Sequence, residues 1–292
     1  MLNFLQQGTL GITMTDSALV SCTWLAENLA NPKLVILDAT FYLPRQQRNA
    51  KEEYQQHILG ALFFDIDQVA DQSSPLPHTI PSANQFSDAV GKMGIDHNSH
   101  IIIYDNNHFF AAARVWWMFR IFGHTSVQIL DGGLKHWKHK NFPLDTKQPS
   151  PISKLYKTDY RPELICDLTQ MLKIQQSGVR QILDARSADS FQGQRALAAA
   201  DLRPGHIPHS INLPYAHLTD AEHGTLLSRQ KLHLLFESTQ VNLSQPMVTS
   251  CGSGVSAAVL LLALYQIGLT NVPMYDGSWA EWGRQAGTPI EQ

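Results

Sequence analysis

Short, largely apolar, β-prone runs that each close on an acid, a small residue or a cysteine punctuate the chain. They are Leu34-Val35-Ile36-Leu37-Asp38, Ile101-Ile102-Ile103-Tyr104-Asp105, Gln181-Ile182-Leu183-Asp184-Ala185 and Met247-Val248-Thr249-Ser250-Cys251. Runs of this length without polar alternation predict strands covered on both faces, as in a parallel sheet between helices. Leu62 to Ile66 and Val127 to Leu130 add two more strands. Helical spacing marks Ala18 to Leu29, Phe86 to Met93 and Ala111 to Phe122. The apolar run Ala257 to Tyr265 predicts another helix, and a short one opens at Gly132-Gly133-Leu134 and runs to Lys138. Asp67 to Pro81, rich in Asp, Ser and Pro, predicts a loop.

The pattern occurs twice. Asp38 and Asp184 are 146 residues apart, His57 and His206 149, Asp105 and Cys251 146, and Trp137 and Trp282 145. Four landmarks in one order at one offset imply two copies of one domain. The fold class is therefore α/β, each copy a mainly parallel sheet flanked by helices. The expected organisation is an N-terminal extension over 1–16, a first domain over 17–146, a linker over 147–162 within the Pro- and Lys-bearing segment Phe142 to Pro162, and a second domain over 163–292. Met14-Thr15-Asp16-Ser17 reads as a second plausible beginning.

The length of 292 residues suits two domains with cores of their own. With 22 Lys and Arg against 25 Asp and Glu, and no basic cluster, the chain offers no surface for nucleic acid or an anionic membrane. Cys22, Cys166 and Cys251 lie far apart without a C-x-x-C pair, so neither a disulfide framework nor a zinc site is expected. The thirteen histidines form no ligand motif, and no metal or organic cofactor is implied. The first thirteen residues lack Lys and Arg, unlike a signal peptide. No apolar run approaches the ~20 residues of a membrane span. The expected location is cytoplasmic, and the expected partners are small molecules or proteins.

One of the repeated strands ends differently from its counterpart. Cys251 is followed by Gly252-Ser253-Gly254-Val255-Ser256 and then by the apolar helix, a strand, loop and helix start in immediate succession. Inward N–H groups of such a loop, and the positive end of the helix, stabilise an anion at its centre. A thiolate or a persulfide on Cys251 fits there and is nucleophilic near neutral pH. The same pattern also fits a buried cysteine in an ordinary crossover. The first copy has Asp105-Asn106-Asn107-His108 at this point and no soft nucleophile, so only the second copy is expected to be active.

Several stretches together resemble the two-domain rhodanese-type sulfurtransferases, most closely the 3-mercaptopyruvate sulfurtransferases. They are His57 to Asp67, Arg114-Val115-Trp116-Trp117-Met118-Phe119-Arg120, Leu130 to Leu134, Gly205-His206-Ile207-Pro208, Cys251 to Ala257 and Tyr275-Asp276-Gly277-Ser278-Trp279. The resemblance implies two tandem rhodanese-like domains and a ping-pong reaction. Cys251 takes sulfur from 3-mercaptopyruvate, releasing pyruvate, and passes it to a thiol, thioredoxin or cyanide. It also implies an assisting set, Ser253, His78 and Asp67, and an active-site loop of Gly252, Gly254, Val255 and Ser256 whose neutrality favours mercaptopyruvate over doubly charged thiosulfate.

The chain departs from that family in its pocket. Two arginines and a tyrosine that the resemblance leads one to expect fall at Ser190, Ala199 and Phe110. Arg195, and more weakly Arg203, are the substitutes for binding the donor carboxylate, because a carboxylate in a partly dry pocket needs charged donors. Arg186, in an Asp-Ala-Arg turn, reads as a structural salt bridge. Three other readings compete. A cysteine phosphatase needs a longer loop closed by arginine, where this chain has Ala257. A thiosulfate sulfurtransferase and a non-catalytic persulfide carrier or redox scaffold both stay open.

Overall fold

The computed structural model describes residues 17–195 and 199–292. The expected extension over 1–16 lies outside the described residues. In the first half the strands are β1 (Leu19–Val20), β2 (Leu34–Asp38), β3 (His57–Ile58), β4 (Leu62–Phe63), β5 (His100–Tyr104), β6 (Val127–Leu130) and β7 (Leu144–Asp145). In the second they are β8 (Ile165–Cys166), β9 (Gln181–Asp184), β10 (Ser210–Asn212), β11 (Met247–Ser250) and β12 (Met274–Tyr275).

Two five-stranded sheets result, ordered β1-β6-β5-β2-β4 and β10-β9-β11-β12-β8, with every neighbouring pair parallel. Read from the opposite edge, the second order is the first one repeated. Even the small antiparallel ribbon β3-β7 has a counterpart, a bridge between His206 and Glu291. The central strands are the apolar runs of the sequence, and Ile101, Ile102 and Ile103 are fully buried. Covered on both faces, they have no polar side to show, hence the absence of alternation.

Two expectations need correction. The helix expected from Ala18 begins only at Cys22 and runs to Asn28, with Ser21 capping it by accepting from Trp24 N–H. The residues before it form the edge strand β1, too short to carry a periodicity. The strand expected over Leu62 to Ile66 stops at Phe63. Asp65 accepts hydrogen bonds from Asp67 N–H and Gln68 N–H and so caps a helix over Ile66–Val69. Residues 146–161 carry no regular element, yet they are bound to the first domain. Lys154 N–H donates to Gly91 at 2.9 Å, and buried Tyr156 packs edge-on against Phe86.

The helices following β5 and β11, Ala112–Ile121 and Ala257–Gln266, pack against each other within one core shared by both halves. Each has the sheet of its own half on one side and its counterpart on the other. That is why both read as apolar all round. The contact also ties together the loops that enter these two helices, and one of them carries Cys251.

Candidate active site

Cys251 directly follows β11 and is 1% exposed. Its backbone is held from both sides by the turn into the helix Ser278–Trp282. The Cys251 N–H donates to Ser278 Oγ at 3.1 Å, and its carbonyl accepts from Trp279 N–H at 2.9 Å. Ala280 N–H binds the Gly252 carbonyl at 2.7 Å. Gly254 turns through φ +75°, and a Cβ there would stand 2.8 Å from the Asp276 carbonyl and 3.1 Å from Arg114 Nη1. A side chain at that point is excluded by conformation and by space. Among the described residues, the N–H groups of Gly252 to Ser256 donate to no protein acceptor.

The first domain shows what such a loop does with an anion. Asp105, at the Cys251 position, is 3% exposed. Its carboxylate accepts from the N–H groups of Asn107 (3.0 Å), Phe109 (3.1 Å), Ala111 (3.0 Å) and Ala112 (2.9 Å). Burial pushes the carboxyl upward in pKa, and these four donors work against that. The loop of this fold is thus an anion cradle, filled in the first copy by its own side chain.

Cys251 borders a cavity of about 420 Å³ to which both domains contribute, with Ser253, Val255 and Ser256 on one side and His78 and Phe110 on the other. His78 sits at φ +57°, and its Nδ1 lies 2.8 Å from Asp67 Oδ1. The close approach of His78 is the main reason that the Asp67 carboxyl is held below the usual carboxylate range. Ser253 and His78 share the cavity, but among the described residues no hydrogen bond joins them.

Arg114 fixes the two walls to each other. Its guanidinium, 1% exposed, donates from Nη1 to the Gly254 carbonyl (3.1 Å) and to Asp276 Oδ1 (2.7 Å), and from Nη2 to the His78 carbonyl (2.5 Å). Asp276 Oδ2 in turn accepts from Ile80 N–H at 2.9 Å. One buried ion pair therefore holds the Cys251 loop, the His78 loop and the end of β12. Its sequence signal was an arginine in the first turn of a largely apolar helix, within the stretch Arg114 to Arg120 that carries the family resemblance.

The other arginines separate clearly. Arg195 lines the cavity with a loose partner, Asp189 at 3.6 Å. Arg203 does not line it, which corrects its expected part in donor binding. Its guanidinium is consumed by the carbonyls of Trp282, Gly283, Gln285 and Thr288, at and beyond the C-terminal end of the helix Ser278–Trp282. Arg186 pairs with Asp184 at 2.7 Å. Ser190, Ala199 and Phe110 all line the cavity, as do two arginines that the sequence did not single out. Of these Arg284 is tied to Asp201 at 2.8 Å, and Arg45 has no acidic partner among the described residues. Among the described residues no helix is long and apolar enough to cross a membrane, and no three His, Cys, Asp or Glu side chains gather as metal ligands.

Comparison with known proteins agrees with this geometry. The rhodanese-like domain matches twice, over residues 21–140 and 167–285. The chain is 40% identical to 3-mercaptopyruvate sulfurtransferase of Homo sapiens over 276 residues, covering 92% of this chain and 93% of that one. It is 38% identical to thiosulfate/3-mercaptopyruvate sulfurtransferase 1, mitochondrial, of Arabidopsis thaliana, covering 95% and 79%. The crystal structure of the 3-mercaptopyruvate sulfurtransferase SseA from Escherichia coli superposes with a TM-score of 0.82 at 38% identity, covering 90% of this chain and 99% of that one. With a cysteine at the head of the second anion cradle and an aspartate in the first, the chain belongs to the two-domain rhodanese family as a 3-mercaptopyruvate sulfurtransferase-like enzyme.

Proposed function

We propose that the second domain catalyses transfer of sulfur from 3-mercaptopyruvate through a Cys251 persulfide to a thiol acceptor such as thioredoxin, with cyanide as a substitute acceptor. The Cys251 thiolate attacks the donor sulfur and the donor C–S bond breaks. The electron pair of that bond passes to the three-carbon fragment as the pyruvate enolate, which takes up a proton to give pyruvate. The acceptor thiolate then attacks the outer sulfur, and the Cys251 thiolate leaves. The observation that carries this reading is the filled cradle of the first domain. Four N–H groups there hold one buried negative charge, and the loop at Cys251 repeats the design around a sulfur.

The first domain closes the pocket with His78, which Asp67 orients and which, with the Ser253 hydroxyl, relays the proton to the enolate. Arg195 binds the donor carboxylate, as the cavity arginine with the loosest of the ion pairs described. The loop from Gly252 to Ser256 carries no charge, which suits a singly charged keto acid. Arg45 and Arg284 on the same cavity favour a second reading, thiosulfate as the donor.

The deciding experiment compares pyruvate release from 3-mercaptopyruvate with sulfur transfer from thiosulfate to one thiol, while intact mass follows one added sulfur on Cys251. The expected result is a clear preference for 3-mercaptopyruvate and complete loss of loading in Cys251→Ser. A preference for thiosulfate would install the second reading. A persulfide formed without turnover would make the protein a carrier, and loading retained in Cys251→Ser would remove the nucleophile.

A further inference from the structure

The turn that holds Cys251 contains a residue whose conformation no packing need explains. Ser278 is fully buried at φ +48°, in the left-handed region that side chains other than those of glycine and asparagine avoid. Its counterpart in the first domain, 145 residues earlier, is Gly133 at φ +55°. The residues before them differ, Gly132 standing at φ +78° and Gly277 at φ −63°, but both turns make the same contact to the loop they hold. Leu134 N–H donates to the Asp105 carbonyl at 2.9 Å, and Trp279 N–H donates to the Cys251 carbonyl at 2.9 Å. A Cβ on Gly133 would collide with the Asp105 carbonyl. The fold therefore prefers glycine at this point, and it accepts a strained serine only in the copy that carries the cysteine. Strain of this kind persists where the side chain has a task.

The geometry points to Ser278 as a further residue of the sulfur-transfer site, whose hydroxyl turns its hydrogen to Cys251 Sγ when that sulfur is ionised. This inference rests on the reading of Cys251 as the nucleophile. Ser278 Oγ accepts from the Cys251 N–H at 3.1 Å, donates to the Tyr275 carbonyl at 2.8 Å and stands 4.0 Å from Cys251 Sγ. Among the described residues, no other side chain comes within hydrogen-bonding reach of Sγ. The hydroxyl has one hydrogen and two acceptors in view. Against a neutral thiol the carbonyl is the stronger acceptor. Against a thiolate or persulfide the charged sulfur competes for it, because a hydrogen bond to an ionised acceptor is about twice as strong. The Cys251 N–H keeps the oxygen in place in both states, so the change is a rotation about one bond with no movement of the backbone.

The strain supplies the test, since it separates a structural part from a chemical one. Ser278→Gly removes the hydroxyl and relieves the backbone together, whereas Ser278→Ala removes the hydroxyl and keeps the strain. Each variant and the unaltered chain are measured for melting temperature, for single-turnover sulfur loading of Cys251 by intact mass, and for the rate of alkylation by iodoacetamide from pH 5 to 9. Cys251 borders the cavity, whereas Cys22 and Cys166 do not and are pushed up to about 12 by burial, so alkylation reports on Cys251. The expected result is that Ser278→Gly melts above Ser278→Ala, since both leave the Cys251 N–H and the Tyr275 carbonyl unpaired and only the first relieves the backbone, while loading falls at least about tenfold, toward the loss seen when one preorganised donor is removed. The acid limb of its alkylation profile should move to higher pH, and Ser278→Ala should repeat both kinetic changes at its lower melting temperature. Wild-type loading and an unmoved alkylation profile in Ser278→Gly would overturn the proposal, as would a loss of rate that only follows a fall in melting temperature. Alkylation needs no sulfur donor, so an unaltered chain that fails to load defeats the parent reading and leaves this one separately decided.

Discussion

Replacing Arg114 by methionine tests whether one buried cation organises the cavity. The substitution keeps much of the side-chain length and its contact with Trp117, whose ring lies 4.7 Å below the guanidinium, but removes every donor. Asp276, with its side chain 9% exposed, loses its partner at 2.7 Å and retains only Ile80 N–H. Breaking a buried pair from one side costs about 3–5 kcal/mol, because the remaining charge is neither solvated nor compensated. The carbonyls of Gly254 and His78 lose their donors in the same step, which places the expected loss at the upper end of that range. Removing the stranded charge as well, in Arg114→Met with Asp276→Asn, should recover about 1–3 kcal/mol. The assay is urea unfolding followed by tryptophan fluorescence at pH 7.5, with KM for 3-mercaptopyruvate measured on the folded protein. KM should rise as the His78 and Cys251 loops come apart. A single variant within about 1 kcal/mol of the unaltered chain, or a double variant no more stable than the single one, would refute the electrostatic reasoning.

Two further outcomes concern charges that the repeat treats unequally. Asp184 has Arg186 as its partner, whereas its counterpart Asp38 has only neutral donors, Thr40 and the Tyr104 hydroxyl, and burial pushes its carboxyl up to about 6 from an ordinary value of 3.8. A folded value above the unfolded one means stability that is present below pH ~4 and lost as the pH rises through ~6. The shift corresponds to about 3 kcal/mol. Asp38→Asn should therefore gain stability relative to the unaltered chain between pH 4.5 and pH 7.5, and an equal urea-midpoint difference at both pH values would contradict it. Arg195→Ala should raise KM for 3-mercaptopyruvate roughly 5- to 20-fold, and KM for thiosulfate less, through loss of a charged hydrogen bond. Arg203→Ala should leave KM unchanged and lower the urea midpoint, since its guanidinium binds only the chain itself. An equal KM change in both variants would place neither arginine at the donor.

The sequence by itself determined whatever depends on neighbouring residues. A central strand of a parallel sheet is apolar on both faces, so Leu34–Asp38 was legible to the residue, and Gln181 and Met247 each opened a strand where the pattern placed it. The repeat was legible because two copies of one fold keep their landmarks at one offset. Cys251 and its glycines were legible because the loop that cradles an anion is built within seven residues. Edge strands such as Leu19–Val20 and Ile165–Cys166 were not, since two residues hold no periodicity and their pairing is decided by a partner about 110 residues away in each case.

Only the tertiary structure decided which charges meet. Arg195 and Arg203 are indistinguishable as residues in a loop, yet one faces the cavity and the other fills the carbonyls at and beyond a helix end. Arg114 reaches partners 140 and 162 positions away, and no local pattern encodes a contact at that distance. The apolar helix Ala257–Gln266 announced that it would be buried, but its partner, the helix Ala112–Ile121, was fixed only when the two sheets came together. Burial is a property that a stretch of chain can carry alone. A pocket between two domains, and the ionic pairing that sets its walls, exist only when both domains are folded against each other.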